Sequence, residues 1–67
     1  MAEEKVRLMK LIEHWAEHND EHSERFKESA VKAEDMGLTG VADQLNYAYT
    51  EAVEVSKHLR NALAMFR

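Results

Sequence analysis

At 67 residues, with no cysteine and no proline, the chain is read as one domain, 1–67, from which disulfides, thiolate metal sites and thiol catalysis are excluded. A chain this short seldom builds a core contributing more than a few kcal/mol, so a metal, a partner or very regular helix packing is expected to supply the rest. A formal net charge of −4 argues against nucleic acid as a partner, and no apolar run nears the roughly 20 residues of a membrane span. The opening MAEEKVRLMK lacks the apolar stretch and cleavage site of a signal peptide, so a cytoplasmic protein is expected.

The first predicted element is a helix over about residues 3–36. Strict three–four spacing selects Leu8, Ile12, Trp15, Asn19, His22, Phe26, Ser29, Ala33 and Met36 as its inward face. Glu and Lys occupy most positions outside that face. The only glycines, Gly37 and Gly40, punctuate the chain. Gly37 suits the left-handed position just past a helix end, with Leu38 folding back toward Ala33, and Thr39 is the expected N-cap of the next helix.

A second helix follows over about 40–66, with Leu38, Ala42, Leu45, Tyr49, Ala52, Ser56, Leu59, Leu63 and Phe66 on the three–four rhythm. So short a connection makes the two helices antiparallel neighbours, an all-α hairpin. Val41, Ala48, Val55 and Ala62 recur every seven residues beside the second seam. They widen the apolar stripe to about half the circumference, more than one facing helix covers. A homodimer, two hairpins forming a four-helix bundle, is the expected solution, with Trp15 of the first helix joining those four residues at the interface. A different protein docking on the same stripe is the other arrangement.

Antiparallel pairing places Asn19 and His22 opposite Ala52 and Ser56, with Tyr49 a turn away. A polar layer of Asn19, His22, Ser56 and Tyr49 is therefore expected at mid-length, where it would set register. The same stretch, H14-W-A-E-H18-N-D-E-H22, carries histidines at i and i+4, a spacing that can grip one divalent ion. His14 and His22 lie about 12 Å apart along the axis, so one helix brings only a pair to one ion. His18–His22 is the better-placed pair, with His14 and Glu21 as further candidates and Ni²⁺ or Zn²⁺ as the ions that imidazole and carboxylate suit. Residues 13–24 also hold Glu13, Glu17, Asp20, Glu21 and Glu24 without a Lys or Arg, a locally negative patch. A His22 buried neutral in the seam would make the pair loosen in acid.

No Glu-x-x-His pair, HExxH, phosphate loop or nucleophile elbow is present, and no enzyme is expected. The stretch L11-I-E-H-W-A-E-H-N-D-E-H22 followed by G37-L-T-G-V-A-D-Q-L45 resembles a group of short uncharacterised proteins of anaerobic bacteria and archaea. These share an EHWxEHNxxH-type first helix and a glycine turn into the second. The resemblance implies an association with nickel or other metal handling, carried here by His14, His18, Asn19 and His22. Two functions follow as expectations: a self-associating interaction module, or a divalent-metal-binding, metallochaperone-like protein using the His14/His18/His22 and acidic cluster.

Overall fold

A chain of good helix formers without an internal breaker should run as one rod until glycine stops it, and it does. In a computed structural model that describes residues 2–66, α1 runs Ala2–Asp35 and α2 runs Thr39–Ala64, 34 and 26 residues long, and the described residues contain no strand. Glu3 and Glu4 in the first turn of α1 and Lys32 in its last complement the helix dipole. The expected hairpin is present, 53 × 14 × 11 Å along its principal axes.

The turn is a Schellman ending. Gly37 sits at φ +76°, its N–H donates to the Glu34 carbonyl at 3.0 Å, and the Leu38 N–H donates to the Ala33 carbonyl at 2.9 Å. The expected cap at Thr39 is displaced by one residue. Leu38 occupies the N-cap, offers no side-chain hydrogen bond, and instead accepts the Ala42 N–H through its carbonyl at 2.9 Å. At the other end α2 stops at Ala64, short of the expected 66, as the Met65 and Phe66 N–H groups tighten onto the carbonyls of Ala62 and Leu63.

The seam of α2 matches the expected rhythm. Ala42, Ala52 and Ser56 are buried, while Leu45, Tyr49, Leu59, Leu63 and Phe66 are half-buried; Leu38 alone stays exposed. The seam of α1 is rotated from the expected one. Ile12 and Ala33 are buried and Asn19 and Phe26 half-buried, as anticipated, but the row that completes the seam is Met9, Ala16, Ser23 and Ala30. Leu8, Trp15, His22, Ser29 and Met36 lie to the side and are exposed. Two rods lying together bury the line pointing directly at each other. Small side chains there, Ala16, Ser23 and Ala30 against Ala42, Ala52 and Ser56, allow close approach.

The resulting core is thin. Its buried apolar residues are Ile12, Ala16, Ala30, Ala33, Ala42 and Ala52, and no large side chain is fully enclosed. At about 25 cal/mol per Å² of apolar surface, five alanine methyls and one isoleucine contribute little toward offsetting the ordering of some sixty residues. Among the described residues no helix is long and apolar enough to cross a membrane.

Candidate functional site

At mid-length the seam turns polar. Asn19 donates from Nδ2 to the Ala52 carbonyl at 2.6 Å and to Ser56 Oγ at 2.7 Å. Ser56 donates onward to Asp20 Oδ1 at 2.5 Å, and Arg60 donates to the same carboxylate from Nη2 at 2.6 Å and from Nη1 at 3.3 Å. Ser23 Oγ closes on the Asp20 backbone carbonyl at 2.8 Å. Among the described residues every buried side-chain polar atom has a partner, as a polar group withdrawn from water requires.

The Arg60 guanidinium, and after it the Ser56 hydroxyl, hold the Asp20 carboxyl below its ordinary value; Asp20 in return raises Arg60. Both charged side chains remain about half exposed, so the ion pair contributes little by itself. The partly buried amide and hydroxyl set the register.

Of the expected layer, Asn19 and Ser56 meet. Tyr49 is half-buried with the Lys27 ammonium 5.3 Å from its ring centre. His22 lies outside the seam and is exposed, so acid does not have to force a proton into the interior of a single hairpin. Asp20 and Arg60 join the layer unanticipated. The acidic patch around Asp20 has no cation nearby in sequence, and its cation arrives from forty positions further along. Antiparallel register, carried one residue outward from Asn19 and Ser56, is the signal that would have found it.

The histidines form a column down α1. The rings of His18 and His22 stack at 4.7 Å between centroids, those of His14 and His18 are tilted at 5.7 Å, and His22 stacks on Phe26 at 6.4 Å. His14, His18, Glu17 and Glu21 border one shallow depression. Among the described residues, however, no three His, Cys, Asp or Glu side chains converge so as to hold a metal ion. One hairpin therefore offers the imidazole pair and no more.

A second open depression lies on the face of the hairpin where both helices leave apolar surface. It is lined by Trp15, His18, Asn19, His22, Val55 and Leu59. Trp15 is 46% exposed and Val55 48%. Leu8 and Val41 are likewise exposed, and Ala48 and Ala62, in the α2 row that holds Val41 and Val55, are half-buried. All five residues expected at an oligomer interface thus fall in the two rows flanking the seam on one side. The opposite face carries Asp20, Arg60 and Lys27.

Fold and site together define a two-helix hairpin with a histidine-bearing apolar face. The chain belongs to a family described as a domain of unknown function (DUF8180), whose pattern matches residues 8–66. It is also similar to an uncharacterised protein of the archaeon Archaeoglobus fulgidus, 39% identical over 59 residues, covering 88% of this chain and 94% of that one. No solved structure matches it.

Proposed function

We propose that the chain is a self-associating helical module that forms a four-helix bundle with a second copy and acts by assembly rather than catalysis. The observation that carries this reading is the exposure of Trp15 and Val55, from different helices, on one face. In α1 the row Leu8, Trp15, His22, Ser29, Met36 lies about 50° around the helix from the row Ile12, Asn19, Phe26, Ala33. In α2 the row Val41, Ala48, Val55, Ala62 stands in the same relation to Leu45, Ala52, Leu59, Phe66. The apolar arc of each helix therefore points between its neighbour and the open face. That is the direction of the centre of a four-helix bundle, not of a helix pair.

Area favours a second copy. A face 53 by 14 Å is on the order of the ~800 Å² that each partner contributes to a standard interface. Its two rows are complementary in size, with Leu8, Trp15 and Met36 on α1 and mostly small or β-branched side chains on α2. Sedimentation equilibrium at micromolar concentration tests the reading. A mass of two chains is expected, each chain being 7.8 kDa; a folded monomer would refute it.

A second reading, handling of a divalent ion such as Ni²⁺ or Zn²⁺, is favoured by the stacked His18–His22 pair. Two imidazoles are half of a tetrahedral ligand set. On that count the second reading depends on the first.

A further inference from the structure

The hairpin is a rod, and a rod covers its open face completely only when the second copy lies alongside over the full length. Two-fold axes allow this in two ways. The axis runs along the rod, so each level meets the same level of the partner, or it crosses the rod at mid-length, so the two ends exchange. In both arrangements the mid-length level of one chain meets the mid-length level of the other. The residues at that level are known. Asn19 of α1 bonds to Ala52 and Ser56 of α2, so mid-length of the rod lies at these residues. His18 and His22 flank Asn19 and border the depression on the open face together with Trp15, Val55 and Leu59.

We propose that association through this face builds a divalent-metal site shared by two chains, in which His18 and His22 of each copy supply four imidazole nitrogens to one Zn²⁺-type ion. The inference rests on the self-association proposed above. Four neutral imidazoles at about 2.0–2.1 Å in a tetrahedron are a complete set for Zn²⁺. An i,i+4 histidine pair provides two of them from one helix face, and the 4.7 Å stack of His18 on His22 shows both rings already projecting together. The partner chain removes the deficit left by a single hairpin, where no third donor converges. Trp15, Val55 and Leu59 around the pair exclude water once covered, which strengthens the ion–ligand attraction. Asn19 also borders the depression and supplies a polar side chain beside the ligands.

The competing location is the depression bordered by His14, Glu17, His18 and Glu21, which one chain would fill alone. His14 separates the two, because it borders that depression and not the open-face one. The test is a Zn²⁺ titration of the full chain by calorimetry and native mass spectrometry, with His22→Ala and His14→Ala beside the unaltered protein. All three histidines are exposed, so neither variant removes packing from the hairpin, and circular dichroism checks this.

The expected result is about one Zn²⁺ per two chains, a dimer dissociation constant lowered about tenfold or more by saturating Zn²⁺, loss of both effects in His22→Ala, and retention of both in His14→Ala. One ion per chain without tighter association, or loss of binding in His14→Ala but not in His22→Ala, would place the ion on the single-chain depression and overturn the proposal. A metal-free dimer that takes up no Zn²⁺ would overturn it while leaving the self-association reading intact. A chain that stays monomeric with and without Zn²⁺ would defeat both.

Discussion

Asn19 and Ser56 meet across the hairpin at 2.7 Å, the amide donating and the hydroxyl passing its own proton on to Asp20. The contact is the centre of a relay in which one helix cannot slide along the other without breaking several hydrogen bonds at once. Alanine-lined seams are smooth and specify register weakly; a single polar layer specifies it strongly.

Replacing Asn19 by alanine should therefore cost more than its exposure suggests. Two donated hydrogen bonds are lost, at about 1 kcal/mol net each, and Ser56 keeps only Asp20. A loss of about 1–2 kcal/mol in urea unfolding is expected. Asn19→Leu should recover part of it by adding apolar surface, yet broaden the amide spectrum as register loosens. An Asn19→Ala variant with unchanged stability would show that the layer contributes nothing.

The Asp20 carboxyl gives the hairpin a defined acid limb. Its folded value is held below the ordinary carboxylate value of 3.8, mainly by Arg60 and then by Ser56. A depressed folded value means that stability is present above the unfolded value and is lost as pH falls through the folded one. The contribution should hold from neutral pH to about pH 4 and fade below that. Half exposure of both side chains keeps it small. In Asp20→Asn this segment of the stability–pH curve should flatten, a difference read by urea unfolding at several pH values between about 2 and 7.

Much of the fold was legible in the sequence because its signals are local. Gly37 followed by Leu38 specifies a Schellman ending, and the α2 seam has apolar or small residues on a single rhythm. The rotation of α1 was not legible. The row Ile12, Asn19, Phe26, Ala33 is flanked on one side by Leu8, Trp15 and His22 and on the other by Met9, Ala16 and Ser23, and both satisfy three–four spacing. Hydrophobicity favours the side with leucine and tryptophan. Contact between two rods takes the side with alanine and serine, because small residues let backbones approach. In the candidate site, Asn19 with Ser56 followed from register, whereas Asp20 with Arg60 required knowing which way each side chain leans.

The two glycines should respond oppositely to alanine. Gly37 is held at φ +76°, where a Cβ crowds the carbonyl of its own peptide although no other atom lies within 4 Å. Gly37→Ala is expected to lose about 1 kcal/mol, with Gly37→Asn losing less. Gly40 lies inside α2 with open space around a built Cβ, so Gly40→Ala should gain up to about 0.5–1 kcal/mol. Thermal melting resolves the pair, since 1 kcal/mol moves the midpoint by about 4–8 °C in a domain of this size.

Val53 and Val55 provide the sharpest comparison for self-association. They are two residues apart on α2, 42% and 48% exposed, and equally apolar. Helical geometry sends them to opposite sides of the seam, because two residues turn the helix by about 200°. Val55 borders the depression with Trp15 and His22; Val53 lies on the side of Asp20 and Arg60. A charge at position 55 would be trapped, unpaired, against the second copy, a cost of several kcal/mol, whereas the same charge at 53 stays in water. Val55→Glu should shift the chain to monomer in sedimentation at concentrations where the unaltered protein is dimeric, and should lower its melting temperature because the thin alanine seam is left alone. Val53→Glu should leave the mass unchanged. Equal behaviour of the two variants would mean that the open face through Val55 is not where copies meet. Dissociation by Val53→Glu alone would move the interface to the charged face.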